Sequence, residues 1–168
     1  MNRSPFVLSV ADLLGRDASP RAERLEAEVD WRIELSRVMP EPPLVADLLL
    51  HPVSGGIAVT GKVHFTTEDS CSRCLTATIS DRSSTVGALF DRNDEDDESY
   101  PLEGTEIDVE QMLRDDVLLS LPLTPSCGPD CPGVVTSAGT DLNTDSSESD
   151  GESRSPFAVL KDLLDDEE

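Results

Sequence analysis

The chain has 168 residues, which suits one domain of ordinary size plus appendages and leaves no room for a second full domain. It is 37% apolar but 4% aromatic, with one tryptophan, Trp31, and one tyrosine, Tyr100, so the core is expected to be aliphatic and modest. The formal charge of -22 is uneven: residues 1–90 hold twelve acids and nine bases, net -3, and residues 91–168 hold twenty-three acids and four bases, net -19. Such a field repels phosphate backbones and attracts basic proteins, which disfavours nucleic-acid binding over the whole surface.

The opening residues, MNRSPFVLSVADLLGRD, carry one early arginine and an apolar stretch broken by Ser9 and Asp12, not the uninterrupted core of a secretory signal. No run approaches the roughly 20 apolar residues that span a bilayer. The expected compartment is the cytoplasm, where paired cysteines more often hold metal or act as transient redox groups than form disulfides.

In chain order, PFVLSV (5–10) predicts a short strand, followed by a turn or short helix at ADLLGRD. The polar stretch ASPRAERLEA (18–27) predicts a flexible loop. Val29, Trp31, Ile33 and Leu35 then alternate with polar residues, the period of two of a half-buried strand. MPEPP (39–43) interrupts, because proline restricts its own φ and the residue before it. LVADLLL (44–50) is read as a strand, HPVSGG (51–56) as a turn, and Ile57, Val59, Val63 and Phe65 as one face of the next strand, with Gly61 in the same register. CSRC follows at its end, and LTATISDRSSTVGALF (75–90) returns as a longer, less regular strand in which Leu75, Ala77 and Ile79 alternate. The CxxC therefore sits at the tip of a hairpin.

The acids Asp91, Asp94, Glu95, Asp96, Asp97 and Glu98 predict a solvated loop. IDVEQMLRDDVLLSLPL (107–123) has the strongest helical spacing, with Ile107 or Val109, Met112, Leu113, Val117, Leu118 and Leu121 recurring at intervals of three and four, until Pro122. Residues 134–153 are rich in Ser, Thr, Asp and Gly and too poor in large apolar residues to offset their ordering entropy, so they predict disorder. SPFAVLKDLL (155–164) offers Ser155 as N-cap, Pro156 at the first helical position and Phe157, Leu160 and Leu164 on one face, a partner-docking helix in prospect. Together these elements predict an α+β fold: a mainly antiparallel β domain with one well-defined amphipathic helix, a disordered acidic tail and a short C-terminal helix. The corresponding segments are a domain at 1–133, a linker at 134–154 and a terminal helix with its acidic end at 155–168.

Four cysteines fall in two local pairs, Cys71 with Cys74 and Cys127 with Cys131, a ligand count and spacing that suit one tetrahedral structural zinc. Joining the pairs closes a loop of about 55 residues at roughly 3–4 kcal/mol, against on the order of 10 kcal/mol from a structural zinc. Two other readings stand beside it. The thiols could be inert, partly buried small hydrophobes, or a redox pair, although Glu68 and Asp69 would raise a thiol pKa with Arg73 opposing.

CSRCL at a hairpin, an acidic segment, IDVEQMLRDDVLLSLPLTPSCGPDCPG and SPFAVLKDLL, in that order over residues 57–164, resemble the YceD family, the large ribosomal RNA subunit accumulation proteins. The resemblance implies a bacterial cytoplasmic protein needed for accumulation of 23S rRNA, with a mainly antiparallel β domain and accessory helices. It also implies gene neighbours that commonly include ribosomal protein L32. Many relatives continue the second cysteine pair into a zinc-ribbon-like run, whereas this chain has Val135 and Ala138 where further cysteines would stand. Cys127 and Cys131 must then partner Cys71 and Cys74 or remain orphans.

The leading expectation is a non-catalytic factor whose acidic half engages a precursor of the large subunit or a basic ribosomal protein, with L32 a candidate and any rRNA contact indirect. A second is direct binding of precursor 23S rRNA through Arg3, Arg16, Arg21, Arg24, Arg32 and Arg37. A third, a metal-dependent nuclease, is disfavoured. His51 and His64 are the sole neutral-pH bases, adjacent Asp115 and Asp116 are the one candidate cation pair, and no nucleophile elbow, P-loop or HExxH stretch occurs.

Overall fold

Period-two burial runs through about half of the described residues and selects strands. In the computed structural model, which describes residues 4–15, 17–92 and 99–134, the first strand is β1 (Val7–Ser9), followed by a single 3-10 turn at Ala11–Leu14. Next come β2 (Arg21–Ala27), β3 (Ser36–Val38), β4 (Leu44–Val53), β5 (Gly56–Ser70), β6 (Ala77–Asp91), β7 (Ser99–Glu103), β8 (Glu106–Asp108) and the helix α1 (Glu110–Ser120). The strands form one sheet in the order β1-β8-β7-β6-β5-β4-β2, with β3 pairing β5 beyond the end of β4.

The sheet's axis is the β5–β6 hairpin, paired in unbroken register from Gly56↔Asp91 to Ser70↔Ala77. At its open end Ile57, Val59, Val63 and Phe65 are buried, as their spacing predicted, together with Val86 and Phe90 of β6. Leu44, Ala46, Leu48 and Leu50 of β4 and Leu25 and Ala27 of β2 extend that core across the sheet. Phe6 meets Trp31 at 6.2 Å between ring centroids, and Phe90 meets Tyr100 at 5.5 Å. Gly61 is required by proximity: a Cβ there would overlap the carbonyl oxygen of Asp47 on β4.

The expected fold class is overturned. Half of the structure is strand (50%) and 12% helical, so it is mostly β with one α-helix, not α+β, and its curled sheet is mixed because β6 and β7 run parallel. Three local departures account for this. Arg21–Ala27, expected as loop, is an edge strand: on its inner face Leu25 and Ala27 are fully buried and Arg21 and Glu23 partly so, while Arg24 on the outer face pairs with Asp47 at 2.9 Å, so a polar composition hides a strand with one wet face. Ile107, expected at a helix start, lies opposite Leu8 and Leu102 and is 1% exposed, so β8 takes the first residues and α1 begins at Glu110. Parallel pairing was invisible because alternation fixes which face a residue shows, not the direction of the neighbouring strand.

Other expectations fared differently. Val29 and Trp31 are buried as their alternation required, but the strand lies further on, at Ser36–Val38, closed by Val38 N donating to Trp31 O at 2.8 Å. Leu75 and Ile79 alternate yet are 70% and 66% exposed, because that end of the hairpin extends past the core. The expected disordered tail, apart from Val134, and the C-terminal helix with Phe157, Leu160 and Leu164 lie outside the described residues, as does most of the acidic loop. The sheet and α1 belong to one compact unit, Met1–Pro132. Among the described residues, no helix is long and apolar enough to cross a membrane.

Gly61→Ala is expected to cost ~1–3 kcal/mol in urea unfolding, because β4 and β5 must separate to admit the methyl group. A loss under ~0.5 kcal/mol would show that the two strands are not held this closely.

Candidate metal centre

The inward face of β5 changes character along its length. Val63 and Phe65 are apolar, Thr67 and Asp69 are polar yet buried, and Cys71 comes next on the same face. Asp69, 2% exposed, accepts from Arg82 Nη2 at 2.6 Å and from Thr67 Oγ1 at 3.1 Å; Arg82 Nε also donates to Thr67 Oγ1 at 2.9 Å. Ser36 of β3 lies directly opposite Asp69. Burial pushes the Asp69 carboxyl up, but the Arg82 guanidinium and the Ser36 and Thr67 hydroxyls outweigh it and hold it below its ordinary value. Sequence reasoning treated Glu68 and Asp69 alike. Their positions on opposite faces of β5 were the available signal, since Glu68 is exposed.

Past this polar layer the chain turns at Ser72–Cys74. Leu75 N donates to Cys71 O at 2.9 Å and Cys71 N to Thr76 O at 2.9 Å, with Leu75 in the left-handed region at φ 60°. After α1, the segment from Pro122 returns to the hairpin tip, where Ser72 N donates to Pro125 O at 2.8 Å. A tight turn, with Gly128 at φ 114°, then presents Cys127 and Cys131. A side chain at Gly128 would meet no atom but would be strained at that φ, so the glycine serves the turn, not the packing.

All four sulfurs lie within 4.8 Å of one another. Cys71 Sγ is 3.7 Å from Cys131 Sγ, and Cys74 Sγ is 3.6 Å from Cys127 Sγ. A disulfide needs about 2.05 Å, so these thiols are free. The edge of a sulfur tetrahedron around zinc, with bonds of about 2.3 Å, is about 3.8 Å, close to the observed spacing. Cys71 is buried and the other three are partly buried.

The backbone prepares this site for negative charge. The N–H groups of Cys74, Arg73 and Cys127, in that order, draw the Cys71 thiol down to about 6 against the opposing effect of burial. Cys74 is lowered by the Thr76 hydroxyl and backbone N–H. Cys127 is pushed up to about 12 by the Cys131 and Cys74 thiols beside it. The carboxylates expected to raise the first pair do not decide its chemistry, since Asp69 is turned inward and neutralised by Arg82. Four converging sulfurs with backbone donors form a ligand set for a soft or borderline metal ion.

The other candidate residues do not converge. Tyr100 Oη donates to Asp115 Oδ2 and Gly87 N to Asp116 Oδ2, each at 3.1 Å, so these acids fasten α1 to the sheet on two different partners. His51 lies opposite Ala58 and Val45 opposite His64, which separates the two histidines by about 20 Å along β5. Arg21 is paired with Asp12 at 2.6 Å, Arg24 with Asp47 at 2.9 Å, and Arg32 and Arg37 both with Asp30 at 2.7 Å. These four of the six arginines considered for RNA contact make an ordinary mixed surface; Arg3 and Arg16 lie outside the described residues.

The family model for the large ribosomal RNA subunit accumulation protein YceD matches residues 59–164, which include all four cysteines. The chain belongs to the YceD family. An uncharacterized protein of Mycobacterium leprae is 34% identical over 149 residues, 83% of this chain and 68% of the relative. Uncharacterized proteins of Mycobacterium tuberculosis and Mycobacterium bovis are 37% identical over 103 residues, 57% of this chain. The chain spans about half, 50%, of the length of these last two relatives. No solved structure matches. The family's description names the accumulation of an RNA, not a reaction.

Because the folded-state pKa of Asp69 is depressed, its contribution to stability is present above the unfolded value near ~3.9 and is lost as pH falls through the folded value. Arg82→Met should therefore lower stability by ~2 kcal/mol at neutral pH, and the gap to the parent protein should narrow on acidification toward pH ~3 in urea unfolding. A gap that is constant with pH would mean that the pair is not what holds the hairpin end.

Proposed function

We propose that this YceD-family chain is a non-catalytic factor in biogenesis of the large ribosomal subunit, needed for 23S rRNA accumulation in the bacterial cytoplasm. It works through contacts with basic ribosomal proteins, L32 being one candidate, or with assembly intermediates that carry them. The observation that carries this reading is the family match over residues 59–164. The net charge of -22 supports a protein partner over a direct grip on RNA, and the engagement of Asp115 and Asp116 with Tyr100 and Gly87 supports a structural use of those acids.

Within this reading Cys71, Cys74, Cys127 and Cys131 hold one structural zinc. When bound, zinc supplies four thiolate bonds that tie the hairpin tip to the segment following α1. The chain's own contribution is the set of N–H donors around Cys71 and the Ser72–Pro125 hydrogen bond, which bring the two pairs together across 53 and 60 residues of sequence. Ligands must be deprotonated to bind, so uptake of the metal should release protons, Cys127 among their sources.

Two measurements test these statements. Protein purified without chelator should contain one zinc per chain by elemental analysis, and Cys71→Ser should lose it; a metal-free parent protein removes the site. In sucrose gradients the protein should sediment with precursor large-subunit fractions, and its absence from every such fraction would remove the proposed role.

A further inference from the structure

Between α1 and the short strands β1, β7 and β8 lies an open groove of about 760 Å³, separate in its lining residues from the four thiols. Its apolar lining includes Val7 of β1 and Leu118 of α1, both partly exposed. Among the described residues that line it are Glu103, Glu106, Asp108, Glu110 and Asp115, five carboxylates beside the guanidinium of Arg114. Asp108 accepts from Glu110 N at 2.9 Å and Asp115 from Tyr100 Oη at 3.1 Å, so the fold holds these two in place.

We propose that this groove docks a lysine- and arginine-rich peptide segment of a partner protein, with an apolar side chain of that segment seated against Val7 and Leu118. The proposal rests on the reading above, that the partner is a basic protein, and gives that partner a place to bind. A volume of about 760 Å³ admits several side chains of a docked peptide, within the roughly 300–1,000 Å³ usual for binding clefts. A cleft lined by one sign of charge focuses its field and concentrates the opposite sign, and a cationic segment would relieve the mutual repulsion of the wall carboxylates. The same charge argues against the other occupants. A phosphate backbone is repelled. A second copy of a chain with net charge -22 brings more acid, and the chain's own residues 155–168 carry five acids against one lysine.

The test is fluorescence-anisotropy titration of the full chain against a labelled peptide of lysines and leucines, with a single-stranded RNA as the competing probe. The variant Glu103→Gln/Glu106→Gln/Glu110→Gln should lose on the order of tenfold in affinity, and Glu28→Gln/Glu34→Gln/Glu41→Gln, an equal charge change elsewhere, less than about twofold. Independently of any variant, binding to the parent protein should weaken steadily with added salt. Equal losses in the two variants, no peptide binding, a flat salt response or tighter binding of the RNA each overturn the groove assignment. Sedimentation separates this from the wider reading. If the parent and groove variant both travel with precursor subunits, the groove assignment falls and the assembly role stands; if the parent does not, the role falls and the titration alone decides the groove.

Discussion

The β5–β6 ladder is the constraint on which the rest of the structure depends. Its fifteen consecutive pairs, from Gly56↔Asp91 to Ser70↔Ala77, are longer than any core of this size can cover. One end of the ribbon is therefore packed, beside β4 and against α1, and the other projects. A slip of one residue would turn Val63 and Phe65 to solvent and would also turn Cys71 away from Cys131, so the same register that buries the core aims the first thiol pair. Gly61 holds β4 close against the same ribbon, because nothing larger fits beside Asp47.

Between core and thiols the protein uses a buried polar layer. Asp69, Thr67, Ser36 and Arg82 occupy the stretch where the ribbon has left the apolar core but is not yet in solvent. A buried carboxylate is tolerable there because Arg82 and the Thr67 hydroxyl both donate to its Oδ2, while its Oδ1 is buried without a hydrogen-bond partner. Neutralising Asp69 in this way also matters for the site beyond it. An unpaired carboxylate two residues from Cys71 would oppose thiolate formation, whereas the paired one leaves the backbone N–H groups of Cys74, Arg73 and Cys127 to set the charge.

Much of this was legible in the sequence, and the failures share a cause. The alternation of Ile57, Val59, Val63 and Phe65 identified a strand and its buried face, and the CxxC was correctly placed at a hairpin tip because polar turn residues separate two strand-like runs. The gathering of the second pair with the first could be framed as a choice but not decided, since it depends on where α1 delivers Cys127 in space. Arg21–Ala27 escaped notice because an edge strand needs few apolar residues. Ile107 read as helix because Ile107, Met112 and Leu113 fit a helical spacing as well as they fit a strand followed by a helix. Direction of pairing, which makes the sheet mixed at β6–β7, leaves no mark on local composition at all.

The chain thus combines a β scaffold, four converging cysteines at the hairpin tip and an acidic groove beside α1. We propose that the four thiols at the hairpin tip form a single four-sulfur metal centre. X-ray absorption at the zinc edge of the full chain tests it most directly. The account predicts one shell of four sulfur ligands at about 2.3 Å. A shell containing oxygen or nitrogen donors, or fewer than four sulfurs, would contradict it.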